Sequence, residues 1–330
     1  MFESFSIKGF RGITELAVDD LKRVNVFVGK NNCGKTSILE GLYLGMCVGD
    51  PAVPYKLLEI RELKKTGSFF LNLVFNKMNT KEKPEIFLKH SEANKTRTVR
   101  INYLQNIHSD ESGLRVEIRD GSNSLRSYDL LDYGEDSIST VGHNVTNINI
   151  ENQRVNILTT KDAIAMMTGR FDRIQYNKQL DTMMEILKKF EPRLTGLYLS
   201  ANDLVNCDVG FNTLVPLNFM GDGMVRTLAV ALAVADSSNG TVFIDEIENG
   251  LHYSSLGIMW KAVLGLARKF NVQVFATTHS YEALRALAET GDEEDDIRVF
   301  RIERRDDHYK AVAYDREILG VSVERDREVR

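Results

Sequence analysis

The segment Gly29-Lys30-Asn31-Asn32-Cys33-Gly34-Lys35-Thr36 fits the pattern G-x-x-x-x-G-K-[ST] without a mismatch, and Ser37 follows it. Glycines at this spacing let successive backbone N–H groups close around phosphate oxygens. A helix beginning at Lys35 would add the partial positive charge of its N-terminus. Lys35 is then expected to reach the β- and γ-phosphates, and the Thr36 hydroxyl to ligate Mg²⁺. The implied ligands are ATP and Mg²⁺. Cys33 reads as a small space-filling residue within the loop, with a redox role as the alternative.

Such a loop needs an acidic partner for the metal. Thr241-Val-Phe-Ile-Asp245-Glu246 offers one, with four strand-favouring residues ending in two acids. Asp245 is expected to hold Mg²⁺ directly or through water. Glu246, on the opposite side of an extended chain, is expected to orient and activate the attacking water. A third strand pattern, Phe275-Ala-Thr-Thr278, runs into His279 and Ser280. In a parallel sheet it would end at the same edge, where His279 could bond a γ-phosphate or the lytic water.

The elements that must position these groups alternate. Phe5–Lys8 and Leu16–Val18 read as strands joined by a Gly9–Gly12 turn, and Val24–Val28 as a buried strand stopped by Gly29. Ser68–Phe75 and Ile86–Leu88 read as further strands. Residues 90–160 are polar and turn-rich, with a hairpin signal at Asp120-Gly121-Ser122-Asn123. Residues 161–191 read as helical, stopped by Pro192. Their methionine-rich stripe is read as core-facing, with a partner-binding face as the alternative. Strands at 196–199, 241–244 and 272–277 then alternate with helices at 224–235, 254–270 and 281–289. A terminal hairpin closes around Arg304–Asp307. The acidic run Asp292–Asp296 reads as a solvated loop. The whole predicts an α/β P-loop NTPase fold with a mainly parallel central sheet, an antiparallel β lobe and a β/helical insertion. The expected segments are an N-terminal lobe at 1–90, an insertion at 91–195 and a C-terminal lobe at 196–330.

The order of P-loop, Asp-Glu strand and strand-His resembles the ABC-type ATPase head of the SMC, RecF and OLD branch. Ile7-Lys-Gly-Phe10-Arg11-Gly12 is similar to that branch's opening segment, and Glu248-Asn249-Gly250-Leu251-His252 to its D-loop. The matches run from residue 7 to residue 280 and leave out the polar middle. The family's Ser-Gly-Gly signature is replaced here by Gly221-Asp222-Gly223 before an apolar helix. Amides at that helix start could receive a phosphate from a second copy, or Asp222 could simply cap the helix. Arg226 could offset the Asp222 charge or stabilise the transferred phosphate. The resemblance places Arg11 near the nucleotide; the alternative is a solvent-exposed turn arginine. No Q-loop glutamine can be assigned.

The resemblance implies an ATP-gated homodimer that hydrolyses ATP. About fifty residues follow His279, few for a further domain, so an effector such as a nuclease or toxin is expected to be a separate protein. That arrangement resembles the ATPase subunits of two-gene bacterial anti-phage systems. A RecF-like DNA repair ATPase and an ATP-dependent scaffold with little turnover are the other readings. The net charge of −5, from 42 basic and 47 acidic side chains, does not itself imply DNA binding, so DNA stays open as a partner. The three cysteines form no C-x-x-C pair, no apolar run is long enough to cross a membrane, and the first residues lack a signal-peptide pattern. These features predict a cytoplasmic protein that does not act at a membrane.

Overall fold

A buried strand only five residues long decides how the chain is divided. This strand, β3 (Val24–Val28), is enclosed along its whole length. It belongs with residues far downstream and not with its sequence neighbours. The computed structural model describes residues 1–47, 50, 52–61, 68–92, 95–105, 112–121, 124–132, 138–143, 154–159, 166–290, 295–315 and 318–321. One unit takes Met1–Leu21, Gly29–Asn152 and Arg301–Ala313. The other takes Lys22–Val28, Gln153–Phe300 and Tyr314–Arg330.

The first unit is built on an antiparallel sheet ordered β2-β1-β4-β5-β6-β7-β8. Its strands are β1 (Phe2–Phe10), β2 (Ile13–Val18), β4 (Glu85–His90), β5 (Thr96–Gln105), β6 (Ser112–Asp120), β7 (Ser124–Asp132) and β8 (Ile138–His143). Alternation sets the faces: Leu114, Val116 and Ile118 of β6 are buried, while Arg115 and Glu117 between them are not. Helix α1 (Lys35–Met46) packs on β1 and β4, with Gly41 against Ile7 and Gly45 against Ile86. The β6–β7 hairpin forms as the sequence signal predicts, with Gly121 at φ 64°. Ser122 and Asn123 of that signal lie outside the described residues. A short helix, α2 (Val53–Ile60), follows α1. Ser68–Val74 is 3₁₀-helical, not the expected strand. Leu71 and Val74, both buried, are spaced three apart and so share the inward face of such a turn.

The second unit holds the parallel strands. β14 (Gln273–Thr277) pairs with β3 and with β13 (Thr241–Ile244), and β13 pairs with β9 (Val155–Leu158). The strand β9 comes from the stretch expected to be an insertion. Val24, Val26, Val28, Val242, Ile244, Val274 and Ala276 share one hydrophobic cluster with α5 (Asp222–Asp236) and α6 (Tyr253–Lys269). The alternate positions Phe27, Phe275 and Phe243 stack at 6.4 and 5.4 Å between ring centroids. Asn25, buried within β3, is satisfied by Lys22 and by Val274 O.

The expected helical stretch at 161–191 is two helices, α3 (Met167–Tyr176) and α4 (Leu180–Leu187), divided at Lys178 with φ 56°. Residues 160–165 lie outside the described set. Met183 and Leu187 are buried and Met184 packs beside them, which supports the core-facing reading of the stripe. A small sheet of β10 (Gly196–Leu199), β11 (Val205–Asp208) and β12 (Val215–Pro216) precedes α5. Helix α7 (Tyr281–Ala288) follows β14. Of the acidic run, Asp295 and Asp296 are described. Asp296 pairs with Arg268 at 2.7 Å, so this end is held by cations and not merely solvated. Strand β15 (Ile297–Arg305) neighbours β3, continues into the first unit and turns into β16 (His308–Tyr314).

Candidate active site

In the first unit, the chain leaves β3 at Val28 and enters the glycine loop at once. Gly29 has φ 144°, and a Cβ there would lie 2.6 Å from Ile302 O, so no other residue fits. Asn32 adopts a left-handed φ of 62°, and Gly34, at φ 94°, caps α1. Lys30, Asn31 and Asn32 are exposed, Cys33 is buried, and Gly34 to Ser37 are half-buried. Lys35 Nζ donates to Gly29 O at 2.8 Å and to Lys30 O at 3.1 Å, closing the loop on itself. Burial pushes the Cys33 thiol above its ordinary pKa, against the pull of Lys35. That favours the space-filling reading, because a redox thiol needs a low pKa.

Arg11 is not the solvent-exposed turn arginine of the alternative reading. It sits at φ 50° with its backbone held by Val74 O and Asn76. Its guanidinium turns inward to Glu40 of α1 at 2.6 Å. Arg61 approaches the same carboxylate with two bonds, at 2.8 and 3.1 Å. Burial lowers the Arg11 pKa, and Glu40 opposes that shift. Arg11 Nε and Nη2 find no hydrogen-bond partner among the described residues.

In the second unit, the ends of three parallel strands carry the remaining groups. Thr278 N donates to Phe27 O at 3.1 Å, which registers the end of β14 with the end of β3. The Thr277 hydroxyl donates to Asp245 Oδ1 at 2.5 Å and accepts from Glu246 N at 2.8 Å. Glu246 is not extended as expected. It takes φ 48°, because β13 ends at Ile244 and the next residues turn against β14, with Ile247 N donating to Thr277 O. Its orientation therefore comes from a turn and not from strand alternation.

His279 approaches two carboxylates. Its Nδ1 lies 3.1 Å from Glu248 Oε1 and 3.9 Å from Glu246 Oε1. The same Glu248 oxygen accepts from His279 N at 2.9 Å. Glu248 thus holds the histidine beside the acid pair through both its backbone and its ring. The sequence flagged Glu248 only as part of a D-loop resemblance. Its pairing with a residue 31 positions later left no local signal.

Arg226 does not reach toward Asp222. From the interior of α5 its Nη2 donates to Asp245 O at 3.3 Å and Glu246 O at 3.2 Å, and Nη1 to Thr159 O at 3.5 Å. It is a positioning residue for the acid pair. Burial lowers its pKa, while Glu248, Asp245 and Glu246 pull it back up. Asp222 does not cap the helix: the N-cap is Gly221 at φ 94°, without a side-chain bond, and Asp222 is an exposed acid in the first turn. Gly223 lies beside Ser255. Within the two units, then, Gly29–Ser37 and Arg11 share the first, while Asp245, Glu246, His279 and Gly221–Gly223 share the second.

Residues 24–285 match the family model described as AAA domain, putative AbiEii toxin, Type IV TA system. The chain is 27% identical over 335 residues to a Helicobacter pylori protein named ATP/GTP phosphatase, covering 89% of this chain and 90% of that one. An uncharacterized Methanocaldococcus jannaschii protein is 39% identical over 75 residues, 23% of this chain and 66% of its own. Among solved structures, an Smc head bound to the C-winged helix domain of ScpA gives a TM-score of 0.53 at 12% identity, covering 95% of this chain and 97% of that one. The Smc head domain with an extended coiled coil from Pyrococcus furiosus also gives 0.53 at 12%, covering 99% and 100%. The fold is therefore that of an Smc-like, ABC-type α/β ATPase head. Among the described residues no helix is long and apolar enough to cross a membrane.

Proposed function

The chain belongs to this AAA-domain family, and from that premise we propose that it binds and hydrolyses ATP. Gly29, Lys30, Asn31, Asn32, Cys33, Gly34 and Ser37 form the phosphate cradle, and Lys35 answers the charge of the β- and γ-phosphates. Thr36 in the first unit and Asp245 in the second each carry a hard oxygen of the kind that would hold Mg²⁺, which when bound would neutralise charge on the phosphate oxygens. The donor set fits that ion. Among the described residues no group of three or more His, Cys, Asp or Glu is placed to hold a metal alone. A Mg²⁺ shared with phosphates needs only one or two hard protein oxygens.

Glu246 takes the proton of the attacking water, and His279 orients it. The observation that carries this reading is the single assembly at the strand ends. Thr277 binds both acids' positions, Arg226 holds their carbonyls, and Glu248 sets the histidine. Such a preorganised set acts by placement, not by later movement.

The finer role follows from the same reading. Two copies close on ATP, each offering its exposed Gly221-Asp222-Gly223 helix start to the other's nucleotide, and hydrolysis reopens them. The chain acts in the cytoplasm as the sensing subunit of a bacterial anti-phage system with a separate effector, a nuclease or toxin. The family's description as a toxin–antitoxin system supports a two-component arrangement. Glu246→Gln tests it. Its turnover falls about 10²–10⁴-fold, and with ATP it elutes as a dimer in size-exclusion chromatography. Wild-type turnover by this variant would remove the assigned base; a monomer with ATP would remove the gated dimer.

A further inference from the structure

The hairpin of β15 and β16, near the end of the described chain, touches the glycine loop at three points. Ile302 O lies where a Cβ on Gly29 would stand, at 2.6 Å. Arg304 Nη1 donates to Asn32 O at 3.4 Å, while its Nε donates to Asp306 O at 3.0 Å. The Tyr309 ring comes within 3.2 Å of the Cβ position of Gly34, and its hydroxyl donates to Gly12 O at 2.8 Å. The Arg304 guanidinium lies 5.5 Å from the Tyr309 ring centroid, so the two side chains brace each other. The hairpin tip is itself tied down: Asp307 pairs with Lys77 at 2.7 Å and its carbonyl accepts from Thr14. All of these residues lie in the first unit.

We propose that Arg304 and Tyr309 are positioning residues for nucleotide binding, gripping the glycine loop from its carbonyl side. The inference rests on the ATP-binding reading above. A phosphate cradle presents its N–H groups inward; the Gly29 and Lys30 carbonyls meet Lys35, while others, such as that of Asn32, are left to outward partners. Arg304 takes one of those outward carbonyls and holds Asn32 in its left-handed conformation, which costs energy when unsupported. A cation on the Asn32 carbonyl also polarises the peptide it shares with the Cys33 N–H, strengthening the bond by which that N–H donates to Lys30 O at 3.3 Å and so the turn of the loop. Tyr309 fills the space beside Gly34 and ties it to the Gly12 turn. Neither side chain touches the reacting atoms, so their loss weakens binding and leaves the chemical step alone.

The test uses the full chain, with MgATP binding measured by calorimetry and turnover measured alongside. Tyr309→Phe keeps the ring and removes only the hydroxyl bond; Arg304→Ala removes the grip; Arg304→Lys keeps the charge without the planar fork. Circular dichroism melting of each variant confirms folding. The expected result is a Kd and KM raised about tenfold for Arg304→Ala and about fivefold for Tyr309→Phe. The kcat stays within twofold of wild type, and Arg304→Lys recovers part of the loss. If wild type binds MgATP, Lys35→Ala does not, and both hairpin variants bind like wild type, this proposal falls while the ATP-binding reading stands. If kcat falls with KM unchanged, the positioning role is likewise wrong. If wild type itself fails to bind MgATP, both fall together.

Discussion

Replacing Thr277 by valine keeps nearly the same shape and removes one hydroxyl. That hydroxyl is fully buried and makes two bonds, accepting from Glu246 N and donating to Asp245 Oδ1. Without it the Glu246 N–H loses its partner, which costs about 1–3 kcal/mol for a buried donor. The Asp245 carboxylate loses a charge-assisted bond of about 1.5–3 kcal/mol. Part of each loss is recovered by water, so the expected destabilisation is about 3–4 kcal/mol. Trp260, the sole tryptophan of the chain, is buried in α6 and donates to Ala283 O. Its fluorescence therefore reports the same unit. In urea the transition midpoint should fall by about 1–2 M for a slope of about 2–3 kcal/mol per M. Thr277→Ser, which keeps the hydroxyl, should stay much closer to wild type. Turnover of Thr277→Val should also need more Mg²⁺, because the Asp245 carboxylate loses the hydroxyl that positions its Oδ1. A Thr277→Val midpoint matching wild type, with an unchanged Mg²⁺ requirement, would refute the argument that this hydroxyl joins the two acids.

Glu40→Gln leaves the buried Arg11 guanidinium without its counter-charge and should destabilise the first unit by about 3–5 kcal/mol, read by thermal melting. The double variant Arg11→Met, Glu40→Leu should recover most of that loss; equal melting of Glu40→Gln and wild type would show that the pair is not structural. The thiols of Cys47 and Cys207 are pushed up by burial to about 12 and about 11, and that of Cys33 is raised as well. Iodoacetamide at pH 8 should therefore modify the folded protein far more slowly than the urea-unfolded chain, counted by intact mass; rapid labelling of the folded protein would contradict their burial.

The parts legible in the sequence are those governed by short-range rules. The bounds of β3 and the start of α1 follow from a β-branched run stopped by Gly29 and from the spacing of Gly29, Gly34 and Lys35. The strand ending at Ile244 was equally readable. The conformation of Glu246 was not, because a side chain 31 residues away, Thr277, supplies the bond that turns it. The contacts of Glu248 and Arg226 escaped for the same reason: their partners are His279, Asp245 and Glu246, brought close only by the fold. Ser68–Val74 misled because a short apolar run fits a strand and a 3₁₀ turn alike. The hairpin against the glycine loop lies some 272 residues downstream of it, beyond any local pattern.

The distance between β3 and its partner bears on how the chain is made. Asn25 bonds to Val274 O across 249 residues of sequence. At synthesis rates of roughly 5–20 residues per second, an emerging β3 waits on the order of 12–50 s before β14 leaves the ribosome. During that interval an apolar segment, Val24-Asn-Val-Phe-Val28, stands without its sheet, directly before the loop it must later launch. That segment thus stays without its sheet partner over most of translation, and the glycine loop gains the contacts of Ile302, Arg304 and Tyr309 only when the last strands arrive.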